Sequence, residues 1–139
     1  MPKFKLHAPG KWGEKADREY AYSMVLEIDG RFELSGQGGW DPETLDFPVG
    51  VPIEAEINQA FDNVAFMLNA VGLDWSSVAH VNSYHVPEDG RITRATAEMG
   101  RQFKLRMPDH QPIWTCLGVA ALGDPNMRVE VRVTAFRAD

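Results

Sequence analysis

The pattern that most restricts the fold is a strict alternation of side chains near the end of the chain. Between residues 129 and 135 every second residue is apolar, and the residues between them are charged or polar. This period of two predicts a β-strand with one buried face. The apolar stretch 112–119 predicts another strand, and the turn residues in 118–125 favour pairing of the two strands as neighbours.

Such pairing would bring Trp114, Cys116 and Glu130 to one patch. Glu130 lies within a valine-rich strand, where an unpaired carboxylate is costly. Two interpretations are open for it: a solvated strand face on which it pairs with Arg128 or Arg132, or a carboxylate in a cleft that moves a proton or orients a water molecule. Cys116 is either a nucleophile or, as is commoner for a lone cysteine in an apolar strand, a small buried side chain.

Length and composition limit the class of protein. The 139 residues predict one domain, spanning 1–139, and the single cysteine excludes an intrachain disulfide. No apolar run is long enough to cross a membrane and the first residues do not resemble a signal peptide, so a cytoplasmic protein is expected. The net charge of -6 and the dispersed basic residues argue against a general nucleic-acid binder.

The remaining patterns predict an α+β fold of order β-β-α-β-α-β-β. They predict an irregular lead-in (8–19), a hairpin of strands (22–28 and 31–37), an amphipathic helix (53–71), a strand (78–86) and a second helix (92–105). Asp29 and Gly30 form the hairpin turn, because that turn needs positive φ. Both helices are expected on one face of a mixed sheet, which leaves the other face for another subunit.

The four histidines do not predict a metal site. His80 and His85 are five residues apart on a predicted strand, so their side chains should lie on opposite faces of the sheet. None of the spacings typical of zinc ligands is present. We therefore predict no metal ligand in this chain.

Several short motifs occur in one order along almost the whole chain. They are Tyr22-Ser23, Leu34-Ser35-Gly36-Gln37, Asp41-Pro42, the helix segment 59–64, Gly72-Leu73 followed by Ser77-Val78, Pro112 with Thr115-Cys116, and Val129-Glu130-Val131. With these motifs the chain resembles the reactive intermediate deaminase family, also called YjgF/RidA-like. Each motif alone is weak, and their common order makes the resemblance fairly specific for the fold.

The resemblance implies a chorismate-mutase-like fold. It also implies a homotrimer in which three sheets form a central barrel, with a cleft for a small molecule at each subunit junction. Family members with deaminase activity are hydrolases that convert enamines and imines into 2-oxo acids and ammonia, and they need no cofactor. In them an arginine holds the substrate carboxylate and a glutamate in the last strand positions or activates water.

By this resemblance Glu130 corresponds to the catalytic glutamate, and Tyr22, Ser35, Gly36 and Cys116 correspond to residues that line the pocket. The arginine position holds Trp114 instead, which carries no charge. A substrate carboxylate therefore loses its main anchor, so activity on 2-iminopropanoate is expected to be weak or absent, and Trp114 favours an apolar or aromatic ligand. Replacement of the anchor by Arg128 or Arg132 is the less favoured alternative.

Three functions remain as hypotheses. The first is an enamine or imine deaminase with a non-standard substrate, working in a trimer without cofactor, nucleic acid or membrane. The second is a non-catalytic trimer that binds a small molecule or acts as a chaperone. The third and least favoured is an endoribonuclease, because the chain is acidic and has no basic patch.

Overall fold

The computed structural model describes residues 3–138 and has the predicted α+β composition. Its strands are β1 (Lys5–His7), β2 (Val25–Ile28), β3 (Arg31–Leu34), β4 (Val78–His85), β5 (Ile113–Gly118) and β6 (Val129–Phe136). Its helices are α1 (Gly10–Lys15), which continues as a π-helix (Ala16–Tyr20), α2 (Ile53–Ala70) and α3 (Thr93–Arg106), with a short 3-10 turn at Trp75–Ser77.

The N-terminal segment differs from the prediction of an irregular lead-in. Residues 10–20 are helical, and β1 adds a strand at the edge of the sheet. The segment has no apolar periodicity that would predict a helix. The helical segment is instead packed through a tertiary contact: the indole of Trp12 in α1 stacks on the indole of Trp40 at a centroid distance of 3.8 Å.

The six strands form one mixed sheet in the order β1-β2-β3-β6-β4-β5. All neighbours are antiparallel except β4 and β5, which are parallel. The prediction that β5 and β6 are neighbours is therefore wrong, because β4 lies between them. The physical reason is that α3 connects β4 to β5, and a helical crossover returns the chain parallel to the strand it left.

This order separates the residues that were expected to share one patch. Cys116 is level with Ser83 in the register of β4 and β5, and Ser83 is buried on the helix side of the sheet. Trp114 lies two residues before Cys116 and thus on the same face. Glu130 is level with Tyr84, the next residue after Ser83, so it lies on the opposite face. Within one chain, then, Glu130 does not share a face with Trp114.

The predicted core helix and the predicted hairpin are both confirmed. Ile57, Phe61 and Leu68 of α2 are fully buried against the sheet. Gly72 follows α2 with a φ of 81°, and the Leu73 amide bonds to the Leu68 carbonyl at 2.9 Å, as expected for a helix that ends on a left-handed glycine. The hairpin of β2 and β3 turns at residues 29 and 30, both with positive φ.

The face of the sheet opposite α2 and α3 carries exposed apolar side chains. Leu6, Ile113 and Leu117 are 56%, 67% and 48% exposed. Their register places them on the same face as Glu130. Among the described residues, no helix has the length and apolar character needed to cross a membrane.

Candidate functional site

A cavity of about 670 Å³ opens where the helical segment after β1, the loop after β3 and the start of β6 meet. Its walls come from three separate parts of the chain, residues 12–22, 36–47 and 123–130. The lining residues are Trp12, Lys15, Tyr20, Tyr22, Gly36, Trp40, Leu45, Asp46, Phe47, Gly123, Asp124, Asn126, Met127 and Glu130. Three of the residues predicted for the site, Tyr22, Gly36 and Glu130, thus meet in one cavity, which is of the size usual for a small-molecule site.

Three aromatic rings form one wall of this cavity. Trp12 and Trp40 are stacked with an interplanar angle of 10°. Phe47 lies beside this stack with its plane nearly perpendicular to both indoles, at centroid distances of 5.7 Å to Trp12 and 6.0 Å to Trp40. Perpendicular contacts are among those that aromatic quadrupoles favour, so the wall is preorganised.

Glu130 is the half-buried carboxylate of the cavity. Among residues 3–138 no lysine, arginine or histidine forms an ion pair with it. Burial raises the pKa of Glu130 above its ordinary value. It is therefore not an ordinary solvated strand carboxylate, and a carboxylate with a raised pKa is better suited to accept a proton near neutral pH.

The two arginines that the sequence placed beside Glu130 have other partners. Arg128 bonds through Nε to Glu56 at 2.8 Å, through Nη1 to Glu88 at 2.9 Å and through Nη2 to the carbonyl of residue 51. Arg132 lies 3.3 Å from a carboxylate oxygen of Glu33. The interpretation in which Glu130 pairs with Arg128 or Arg132 is therefore wrong, and neither arginine lines the cavity.

Tyr22 and Ser35 have different surroundings. Burial raises the pKa of the Tyr22 hydroxyl, and the nearby charge of Glu130 raises it further. The Ser35 hydroxyl instead donates a hydrogen bond to the Ser23 carbonyl at 2.7 Å and lines a separate, shallower groove of about 410 Å³ beside Tyr22. In a single chain, Ser35 thus supports the backbone near the cavity and does not line its wall.

Trp114 and Cys116 belong to a second cluster, on the helix side of the sheet. The Trp114 indole N–H donates to Ser83 Oγ at 2.9 Å, and the same hydroxyl lies 2.9 Å from His85 Nε2. The ring centroids of Trp114 and Phe103 are 5.1 Å apart, and the two ring planes are nearly perpendicular. Burial raises the pKa of the Cys116 thiol, which disfavours the thiolate that a nucleophile needs.

His85 is a neutral, buried member of this second cluster. Burial lowers its pKa to about 4. His80, as predicted, lies on the opposite face of β4. In the part of the chain that the structure describes, no three side chains of the metal-binding types converge on one point.

The aromatic wall is the part of the site that the sequence did not predict. Trp12 lies in the segment taken as irregular, and Trp40 and Phe47 lie in a loop. Segments that far apart carry no common periodicity. The one available indication was local: large aromatic residues in otherwise polar loops are unusual and need a partner to pack on.

Comparison with known proteins assigns the sequence. The family model described as Endoribonuclease L-PSP matches residues 14–137. No curated protein matches the chain significantly.

Solved structures share the fold over almost the whole chain. RidA from the Antarctic bacterium Psychrobacter sp. PAMC 21119 is 20% identical, with a TM-score of 0.76 and coverage of 99% of this chain and 100% of that chain. A YjgF/YER057c/UK114 family member from Mycobacterium tuberculosis is 19% identical, with a TM-score of 0.76 and coverage of 96% and 99%. The protein YjgH is 20% identical, with a TM-score of 0.79 and coverage of 99% of each chain.

Proposed function

Because the chain belongs to the endoribonuclease L-PSP family, the family of YjgF and RidA, we propose that it hydrolyses a small imine or enamine in a cavity between subunits of a homotrimer. The products are a carbonyl compound and ammonia, and Glu130 is the catalytic residue. The substrate differs from the amino-acid-derived imines, because Trp114 occupies the position of the family's substrate-binding arginine.

The observation that carries this proposal is the environment of Glu130. The carboxylate lines a cavity of about 670 Å³, is half buried and has a raised pKa. Proton transfer is most efficient when the pKa of the base lies near the working pH. A structural strand carboxylate would gain more from an ion pair, and both nearby arginines are bound to other carboxylates.

The chemistry needs one water molecule and one base. The imine reacts in its protonated, iminium form. Glu130 accepts a proton from water as the water oxygen attacks the iminium carbon, and a neutral tetrahedral amino alcohol forms. Glu130 returns that proton to the nitrogen, which makes ammonia the leaving group. The carbon–oxygen double bond forms as the carbon–nitrogen bond breaks, and Glu130 takes the hydroxyl proton and passes it to the released ammonia. Tyr22 lines the same cavity, and its hydroxyl, which is close enough for the charge of Glu130 to raise its pKa, orients the water or the nitrogen.

The trimer is supported by the uncovered face of the sheet. Exposed leucine and isoleucine side chains on one sheet face indicate a surface that another molecule covers. The strand β5 lies at the edge of the sheet, so a neighbouring subunit that packs there would bring its own cavity towards Trp114 and Cys116. In this arrangement the two clusters, separated within one chain, form one site across the junction.

Two measurements test the proposal. Ammonia release is followed on a panel of imines generated in situ, with wild type, Glu130→Gln and the control Glu14→Gln, which removes an exposed carboxylate outside the cavity. We expect turnover in wild type and the control and none in Glu130→Gln. Light scattering should give three times the chain mass of 15.6 kDa for all three proteins. A monomer at micromolar concentration would contradict the assembly, and full activity of Glu130→Gln would contradict the assigned base.

A non-catalytic binding protein is the second candidate, and the fixed position of Trp114 favours it. Its hydrogen bond to Ser83 and its contact with Phe103 hold the ring where the family resemblance places a charged anchor. Binding of ligands without ammonia release from any imine would support this function. An endoribonuclease is the least supported, since the cavity has three carboxylates and one lysine to meet a phosphate backbone.

A further inference from the structure

The cavity combines an aromatic wall with an excess of carboxylates. Asp46, Asp124 and Glu130 line it, and Lys15 is the one basic residue among its lining residues. The Lys15 ammonium lies 5.3 Å from the ring centroid of Trp12, which is within the range of a cation–π contact. The Lys15 charge is thus already in contact with the Trp12 ring, and three carboxylates face this one ammonium group in the cavity.

The two arginines that flank Glu130 in the sequence are engaged elsewhere. The guanidinium of Arg128 is held by two carboxylates and a backbone carbonyl, and that of Arg132 lies beside Glu33. A planar fork of donors is the group that binds carboxylates best, and none lines this cavity. A ligand with a carboxylate would therefore meet three like charges without a matched partner.

The exposed aromatic rings of the cavity suit the opposite charge. Tyr20, Tyr22 and Phe47 line it, and Tyr20 and Tyr22 are 67% and 41% exposed, so their ring faces can meet a cation. An aromatic ligand also buries area against these rings at low entropic cost. We propose that the cavity takes an aromatic organic cation without a carboxylate: an amine whose nitrogen is joined to an aromatic ring through an alkyl chain, or the iminium ion that corresponds to it.

This inference deepens the proposed function and rests on it for the reaction. The substrate is then an iminium ion, which reacts with water to give a ketone or aldehyde and an ammonium ion, so that charge and atoms balance. The reaction that supplies such a substrate is an oxidation of an amine. Binding of the cation does not depend on turnover, and the two claims can fail separately.

Calorimetry with two matched probes tests the binding claim. Phenethylamine and 3-phenylpropanoate share a phenyl ring and a two-carbon linker, and they differ in the sign of the terminal charge. At pH 7.5 we expect phenethylamine to bind at least about tenfold more tightly than 3-phenylpropanoate, a difference of about 1.4 kcal/mol. Equal affinities, tighter binding of the carboxylate, or no binding of either probe would overturn the inference.

Variants locate the bound cation. The double variant Asp46→Asn with Asp124→Asn preserves side-chain shape and should weaken phenethylamine binding at least about fivefold. Phe47→Leu removes one ring of the wall and should weaken it also. The matched control Glu14→Gln with Asp109→Asn removes two exposed carboxylates outside the cavity lining, and it should leave the affinity unchanged. Equal effects of the control and the cavity variants would show that net charge, not this cavity, is responsible.

The outcomes separate this inference from the proposed function. Cation binding without ammonia release from any iminium ion would uphold the ligand class and refute the hydrolase. Ammonia release from imino acids, with no binding of phenethylamine, would uphold the hydrolase and refute the ligand class.

Discussion

The backbone of Gly36 lies against the carboxyl group of Glu130. A Cβ atom added to residue 36 would fall 2.6 Å from Glu130 Oε2, closer than any real side chain would allow. Gly36 does not have a positive φ, so the restriction is steric and not conformational. The glycine after β3 therefore determines where the carboxylate of β6 stands in the cavity.

Gly36→Ala is expected to displace the Glu130 carboxylate and to lower turnover. A misplacement of about 1 Å in a reacting group costs about 100-fold in rate, so a loss of this order in kcat is expected. Gly123→Ala is the matched control, because Gly123 also lines the cavity and has open space where a Cβ would be added. Equal activity of both variants would contradict the assigned position of the base.

Glu130 should give the protein a characteristic pH dependence. Burial raises the pKa of Glu130 above that of an ordinary glutamate. Because the deprotonated carboxylate is the base, turnover should rise as the pH increases through this raised pKa. The stability effect has the opposite direction. A raised folded-state pKa contributes stability at low pH that is lost as the pH rises through it.

Glu130→Gln tests that sign by thermal unfolding. At neutral pH the variant should melt at the same temperature as wild type or slightly above it, and at acid pH the advantage should disappear. A variant that is clearly less stable than wild type at neutral pH would show that the carboxylate has a structural partner.

Trp114→Arg should raise activity on 2-iminopropanoate. Wild type is expected to act weakly on this substrate, because a charge-assisted bidentate contact is worth about 2 to 4 kcal/mol, or about 30- to 1000-fold in rate. Trp114→Phe is the control, since it removes the bond to Ser83 without adding charge. Wild-type turnover equal to that of an arginine-bearing relative would refute the role given to this position.

His85 should make the protein less stable in acid. The unfolded state keeps a histidine pKa of about 6.5 and the folded state one of about 4, so the unfolded state binds more protons between these values. The contribution is full above pH 6.5 and is lost as the pH falls towards 4. Urea unfolding at several pH values should show a shallower acid loss for His85→Gln than for wild type. His80→Gln, on the other face of β4, controls for the loss of a histidine.

Periodicity predicted most elements of the fold but not the order of the strands. The alternation in β6 and the amphipathic stripe of α2 each arise because a single segment buries one of its faces. Such a pattern can be read from that segment of the sequence alone. The turn residues between β5 and β6 show only that the chain reverses there, and not which strand it meets next. The helix between β4 and β5 was the better guide, because a β-α-β sequence favours a parallel crossover.

The site, like the fold, was predicted only in part. Glu130 could be identified from the sequence because an unpaired carboxylate in a valine-rich strand costs free energy, which indicates a special environment. The family resemblance added Tyr22 and Gly36, which line the same cavity. Trp12 and Phe47 were missed because tertiary packing alone brings their segments together, and the assumed β5–β6 pairing placed Trp114 on the wrong face.

If the chain forms the proposed trimer, the edge position of β5 has a consequence for the chain before assembly. On the described part of the sheet β5 pairs with β4 alone, and two of its outward side chains, Ile113 and Leu117, are apolar. An edge strand with unpaired backbone groups and an exposed apolar face can pair with other chains and cause aggregation. A newly made subunit of the proposed trimer is therefore expected to depend on assembly for its solubility. A charge placed at Ile113 or Leu117 should hinder assembly and also lower the aggregation of the unassembled chain.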